Sequence, residues 1–227
     1  KKLLRLIASP FVKTSLRKLK LNFSSDSKNL IIDGKNVKIK KRLEIKVPKN
    51  ATFDLNTRHC KVKLPNTVAS GNVNYGSFNA NSLNGGKLTI NYSPVSINNL
   101  KSSNLYLNNV TDAKIASVTN TKLSNNSSGV NIVSINENVN ISDRFGELII
   151  ENIISNYETF TLILDNSEGE LNVSNLKSKL NFSATSMEVS NNKKSTVFNG
   201  FINASNKNKT INIEGKHSKL KIIKENL

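Results

Sequence analysis

The chain has 227 residues, of which 37% are hydrophobic and 22% are charged, and its formal net charge is +17. This length suits one large domain or two small ones, and the apolar fraction excludes a wholly disordered chain. A single Cys excludes an internal disulfide framework and a zinc site of four thiolates. Two His leave little material for a metal centre or a histidine base. The most unusual feature is the Asn content, which is 38 residues or about one in six.

The beginning of the chain is strongly basic, because residues 1–65 hold 18 Lys and Arg against 4 Asp and Glu. The opening residues KKLLRLIASPFV are too few to cross a bilayer and too charged for a signal-peptide core. We therefore expect no transmembrane segment. The densest basic run alternates with Ile39, Leu43 and Ile45, which predicts a strand with one solvated face. Residues 1–42 are predicted to form a basic lead-in or cap with short strands.

A repeated pattern follows, in which an apolar residue, a spacer, a second apolar residue and two spacers precede a third apolar residue. Six copies occur, and the first five of their third positions are 17 or 18 residues apart. These third positions are Leu83, Leu100, Val118, Ile135, Ile153 and Leu176. Because near-constant spacing indicates stacked repeats, we predict that the six side chains form one buried column.

Alternation with period two predicts strands, and residues 50–227 nowhere sustain the spacing of an amphipathic helix. An antiparallel meander would need a tight turn at each reversal, but the Asn-Gly pair occurs only at residues 84–85 and 199–200. We therefore predict an all-β fold, a single-stranded parallel β-helix or solenoid over residues 43–227, with roughly ten coils of about 17–20 residues. The crossover rule favours a right-handed coil.

The residue before the third apolar position is always Asn or Ser: Ser82, Asn99, Ser117, Ser134, Asn152 and Asn175. Asn tolerates left-handed backbone angles at a corner, and its amide can bond the equivalent side chain in the next coil. This pattern predicts a stacked polar ladder at that position. The alternative is that an Asn- and Ser-rich composition fills every loop without a ladder.

Acidic residues concentrate between Asp143 and Glu170, which raises the question of an enzymatic site. In the repeat register Glu147 and Glu170 occupy the same coil position, one rung apart, which would suit a retaining glycosidase pair. The same coil position is exposed in other copies, so we favour a solvated surface. A polysaccharide-active lyase or hydrolase that uses Glu147 and Glu170 is the alternative.

His59 and Cys60 are adjacent, which raises the question of a Cys–His nucleophile pair. Neighbours on a strand point to opposite faces, so their side chains are not expected to converge. The Gly85-Gly86 pair leads into a strand and lacks the lysine–serine arrangement of a phosphate loop. We therefore predict no catalytic, cofactor-binding or metal-binding residue and no cofactor.

The segment LEIKVPKNATFDLNTRHCKVKLPN at residues 43–66 resembles the entry segment of the adhesin-type β-solenoid domains of bacterial cell-envelope proteins. Pro48 and Lys49 match the turn that ends the first strand in those domains, and the resemblance extends over about residues 43–215. Cys60 departs from the pattern, because a Gly often stands there. The abundance of Asn, Lys and Ile also resembles the composition of Bacteroidetes proteins.

The resemblance implies a β-solenoid fold but no catalytic residues. It also implies a bacterial envelope or secreted protein that acts as a non-catalytic structural or adhesive module. The basic charge suggests an anionic polysaccharide, lipid head groups or another envelope protein as partner. A nucleic-acid reader would place its charge beside base-reading or stacking groups, so nucleic acid is not an expected partner.

The chain ends in a second basic run, in which Lys216, Lys219, Lys221 and Lys224 flank Leu220 and Ile222. Free strand edges invite association, and natural sheets often protect them with Lys. We therefore predict that the C-terminal run forms an edge strand guarded by charge.

Overall fold

The computed structural model describes residues 2–9, 18–23, 29–32, 35–38, 42–48, 51–154, 156–174, 180–191, 194–202 and 210–223. The fold is all-β, with no helix in these residues. The strands are β1 Lys2–Ser9, β2 Lys18–Phe23, β3 Asn29–Ile32, β4 Lys35–Lys38, β5 Arg42–Pro48, β6 Thr52–Arg58, β7 Cys60–Asn74, β8 Ser77–Asn91, β9 Val95–Asn108, β10 Ala113–Asn126, β11 Gly129–Arg144, β12 Glu147–Ile150, β13 Thr159–Asp165, β14 Glu168–Asn172, β15 Leu180–Ser190, β16 Ser195–Ile202, β17 Thr210–Lys216 and β18 Lys219–Ile223.

Strands β7 to β11 stack as successive coils, and each pairs in parallel with the next. Each strand bends between two straight parts, which we call its first arm and its second arm; in β9 these are residues 95–100 and 103–108. The parallel β-solenoid predicted from the repeat is therefore confirmed. It has about seven regular turns rather than roughly ten, because the terminal segments join the stack out of chain order.

The predicted apolar column is confirmed over five coils of the first arm. Its members pair in register and are at most 1% exposed: Leu83, Leu100, Val118, Ile135 and Ile153. The sixth, Leu176, lies outside the described residues. Because full burial of a Leu or Ile side chain contributes about 1.5–3 kcal/mol, this column is a main source of stability.

A second column fills the other half of the core, from the second arms. It consists of Leu88, Leu105, Leu123, Ile141, Leu162 and Ile213, which follow one another in register. All six are buried. Both columns belong to one hydrophobic cluster, so period-two alternation in both arms produces one continuous core.

The corner after each second arm has the same backbone conformation in successive coils. Its residue has a positive φ of 48–55° in His59, Tyr75, Tyr92, Asn109, Ser127, Phe145, Asn166 and His217. The N–H of this residue donates to a carbonyl of the next coil, for example from Tyr75 to Asn91 at 3.1 Å. Four corners are followed by a buried Ser whose hydroxyl donates two residues back: Ser93, Ser128, Ser167 and Ser218. Inter-coil hydrogen bonds therefore offset the strain of these left-handed residues.

Polar ladders form, but not at the position that the sequence predicts. The amide of Asn91 donates to Asn74 at 2.7 Å, and Asn108 donates to Asn91 at 2.8 Å. A second ladder joins Asn66, Asn81 and Asn98. At the predicted position the side chains bond backbone carbonyls or other neighbours, as Ser134 does with Ala116 at 2.9 Å. Outward-facing strand positions stack side chains one rung apart, so the ladders form there.

The register that the repeat predicts between β12 and β14 is wrong by two residues. Leu148 pairs with Gly169, and Leu171 pairs with Ile150. A shift of two keeps the same side chains pointing inward, so alternation alone cannot distinguish the two registers. A Cβ atom at position 169 would lie 3.1 Å from the Leu164 side chain and 3.2 Å from the Leu220 side chain. Both leucines therefore occupy space beside Gly169.

Both terminal segments enter the stack out of chain order. Strand β1 lies between β5 and β7, and β2 pairs with β6. At the other end, β17 lies between β13 and β15, and β18 lies between β14 and β15. Strand β16 pairs antiparallel with the outer side of β15. Residues 1–42 thus contain short strands, and the first of them is part of the solenoid sheet.

The prediction that the C-terminal run is a free edge strand is wrong. Because β18 is paired on both sides, Lys219 and Lys221 project from a strand inside the stack. They donate to Glu168 and Glu170 at 3.0 Å and 2.8 Å. Lys216 lies on β17, which is also paired on both sides, and Lys224 lies outside the described residues.

Candidate functional site

The outer side of the second arms forms a flat surface of polar residues, which we call the polar face. Three columns run along it from coil to coil. They are Lys87, Asn104, Lys122 and Asn140; Thr89, Tyr106, Ser124 and Ser142; and Asn91, Asn108, Asn126 and Arg144. Parallel stacking places equivalent side chains about 4.8 Å apart, so the face repeats amide and hydroxyl groups at regular intervals.

The polar face is basic between residues 86 and 126. The strand parts 86–91, 103–108 and 121–126 carry Lys87 and Lys122 and no Asp or Glu. The ammonium of Lys87 lies 5.1 Å from the centroid of the Tyr106 ring, a cation–π contact that holds the charge on the face. A shallow open depression of about 380 Å³ crosses it and includes Asn104, Lys122 and Asn140 in its lining. The face therefore offers hydrogen-bonding groups and positive charge to an elongated ligand.

An aromatic stack stands on the adjoining corner. The rings of Tyr75 and Tyr92 are parallel, with centroids 4.9 Å apart, and His59 stacks on Tyr75 at 5.4 Å. Arg58 lies over the Tyr75 ring at 5.6 Å. Tyr75 and Tyr92 are 47% and 52% exposed. Sequence analysis missed this stack, although the repeated Asn-Tyr pair at residues 74–75 and 91–92 marks it.

The acidic pair considered for catalysis does not have the predicted geometry. Glu147 is opposite Glu168, and Glu170 is opposite Ile149, so Glu147 and Glu170 do not share a coil position. The carboxylate of Glu170 forms an ion pair with Lys221 at 2.8 Å. A depression of about 260 Å³ includes these groups together with Glu188 and Lys219. The register shift at this coil therefore separates the two proposed carboxylates.

His59 and Cys60 diverge, as predicted. His59 is an exposed corner residue that belongs to the aromatic stack, whereas Cys60 is buried and only 6% exposed. The Cys60 thiol contacts the Arg58 carbonyl at 3.3 Å and takes the place of the buried Ser of other coils. Among the described residues no group of three or more His, Cys, Asp or Glu could hold a metal ion.

One polar pair lies inside the core, which sequence analysis did not anticipate. Asn125 and Asp143 are in register, with Leu107 and Leu164 on the flanking rungs, and they are 3% and 1% exposed. The Asn125 amide donates to Asp143 at 2.7 Å and to the Ser128 carbonyl at 2.9 Å. Burial raises the pKa of Asp143 from 3.8 to about 6, although hydrogen bonds to Asn125 and Ser167 act in the opposite direction. The pair is placed to make stability depend on pH rather than to contact a ligand.

Fold and surface together define a β-solenoid protein with a polar, basic face and an aromatic corner. The chain matches no protein-family model, no curated protein and no solved structure. A search of the described residues for a helix long and apolar enough to cross a membrane finds none.

Proposed function

We propose that this protein is a non-catalytic adhesive module of a bacterial cell envelope and that its polar face binds an anionic polysaccharide. The observation that carries the proposal is the regular array of amides, hydroxyls and lysines on a flat face that no loop interrupts between residues 86–91, 103–108 and 121–126. A polymer that lies on this face can make the same contacts in successive coils.

Electrostatics supports an acidic ligand. Lys87 and Lys122 are exposed, and each has an Asn104 neighbour rather than a carboxylate on the adjacent rung. Each exposed contact is weak, since single surface ion pairs contribute about 0–1 kcal/mol. Affinity would therefore come from many repeated contacts along the polymer, and it would fall as salt screens the charges.

The non-catalytic part of the proposal is supported by the state of the acidic groups. Glu168 and Glu170 are paired with lysines, and Glu147 stands beside Glu168. These ion pairs engage the carboxylates of Glu168 and Glu170 with protein groups. A retaining glycosidase would need two carboxyl groups that are both free to contact the sugar.

Retention on immobilised polygalacturonate tests the proposal. The double variant Lys87→Ser with Lys122→Ser should weaken binding about tenfold, and the wild type should lose binding as salt rises. Lys114→Ser is the matched control, because Lys114 lies on the first-arm side and pairs with Asp112. Its retention should equal that of the wild type.

Three results would contradict the proposal. Equal loss in the Lys114 control would show that net charge alone matters. Binding to phosphatidylglycerol vesicles but not to the polysaccharide would assign the face to lipid head groups. Turnover of the polysaccharide that disappears in Glu147→Gln would show an enzyme.

A further inference from the structure

The aromatic corner contains a gap of fixed width. In stack order the corner residues are His59, Tyr75, Tyr92, Asn109, Ser127 and Phe145. Their φ values lie between 50° and 55°, so their side chains leave the backbone in the same direction. Tyr92 and Phe145 are three rungs apart, which at ~4.8 Å per rung separates their rings by about 14 Å. We call the space between them the corner notch.

Both walls of the corner notch present a free ring face. Tyr92 is 52% exposed although Tyr75 covers one of its faces, so its other face points toward Asn109. Phe145 is 53% exposed, and Arg144 lies 5.0 Å from its ring centroid. Arg144 also pairs with Asp165, which belongs to the next coil away from the notch, at 3.4 Å. Arg144 therefore covers the far face of Phe145 and leaves the near face open.

The floor of the notch is polar. Asn109, Asn126 and Ser127 are exposed. After half the thickness of each wall ring is subtracted, about 11 Å remains between the walls, enough for two puckered rings at van der Waals contact. An aromatic face on each side and amide and hydroxyl groups below suit a ligand with apolar ring faces and polar edges.

We propose that the corner notch is a second binding site, separate from the lysines of the polar face, which holds pyranose rings of a neutral glycan. A sugar ring has axial C–H groups on its faces and hydroxyls on its edge, which matches the walls and the floor. The charge beside the notch is balanced, because Arg144 pairs with Asp165. The site therefore selects for ring shape rather than for charge, and its affinity is insensitive to salt.

Titration with neutral oligosaccharides, cellohexaose and mannohexaose, tests this site in the full chain. Because the protein has 4 Tyr and no Trp, ligand stacking on Tyr92 should change the intrinsic tyrosine fluorescence. Tyr92→Ala and Phe145→Ala should each weaken binding about fivefold. Asn109→Tyr should abolish binding by extending the stack into the notch, and Tyr92 shows that a Tyr is accommodated at this backbone conformation.

His59→Ala is the matched control, because it removes an exposed ring that stacks on Tyr75 and is not itself part of either wall. Its affinity should stay within about twofold of the wild type. Absence of binding by either hexasaccharide at millimolar concentration overturns the notch proposal and leaves the polar-face proposal standing. Binding that survives in Asn109→Tyr but is lost with Lys87→Ser and Lys122→Ser would move the glycan to the polar face.

Discussion

The central coils and the C-terminal coils are built from the same repeat but are assembled differently. Strands β7 to β11 stack in chain order, each on its immediate predecessor. After β14 the order changes, because β18 comes next in the stack and β15 follows it. In the centre, apolar columns suffice to align neighbours, whereas at the C-terminal end charge also takes part.

The charge pattern favours the position of β18 between β14 and β15. Lys219 is opposite Glu168 on one side and opposite Glu188 on the other. Stacking β15 directly on β14 would place the two carboxylates opposite each other, and like charges on adjacent rungs are destabilising. The hydrogen bond and charge of Glu168, together with the charge of Glu188, raise the pKa of Lys219 and favour its ammonium form.

The largest effect is expected from Ile135→Asp in the central coils. Ile135 is fully buried between Val118 and Ile153, so an unpaired charge there should cost several kcal/mol and unfold the domain. Circular dichroism during thermal denaturation measures the loss. The matched control is Val133→Asp, since Val133 is 44% exposed in the same strand. A cooperative transition retained in Ile135→Asp would show that the central column does not hold the coils together.

A smaller effect is expected where the central and C-terminal coils meet, at Asp143. Because its folded pKa is raised, its contribution to stability is full below about pH 4 and is lost as pH rises through about 6. A rise of about two units corresponds to about 3 kcal/mol. Asp143→Asn should therefore be more stable than the wild type at pH 7 by up to that amount, and the difference should disappear at pH 4.

Urea denaturation at pH 4 and pH 7 measures this difference. Asp112→Asn removes an exposed carboxylate and serves as the control, which should leave the pH dependence of the wild type unchanged. A pH dependence that is equally steep in Asp143→Asn would place its origin in another group.

The smallest effect should be local to the C-terminal coils. Lys219→Glu would put four carboxylates on successive rungs, those of Glu147, Glu168, residue 219 and Glu188. This should loosen β18, so amide exchange should quicken severalfold in β15, β17 and β18. Exchange in β8 to β10 should not change. Adding Glu168→Lys and Glu188→Lys to the Lys219→Glu variant restores the alternation of charge between rungs. Amide exchange should then slow again. If amide exchange quickens equally in all coils, or if the reversed charges do not slow it, then charge is not the cause of the strand order.

The sequence alone determined the solenoid and the five-member column from Leu83 to Ile153. Both depend on contacts between neighbouring coils. There, period-two alternation shows which side chains point inward, and the near-constant spacing shows which of them stack. The divergence of His59 and Cys60 was predictable for the same local reason. The sequence predicts that Asn side chains form ladders between coils. It does not predict their position, since it does not show which outward-facing positions of two coils are paired.

Only the tertiary structure decided the order of the end coils, the register of Glu147 and the corner notch. The ion pair between Lys219 and Glu168 joins residues 51 positions apart, a contact that no repeat spacing encodes. A two-residue shift preserves alternation, so only three-dimensional pairing could bring Glu147 opposite Glu168. The notch exists because left-handed corners align Tyr92 with Phe145 over two coils of small residues, and that alignment arises only when the coils stack.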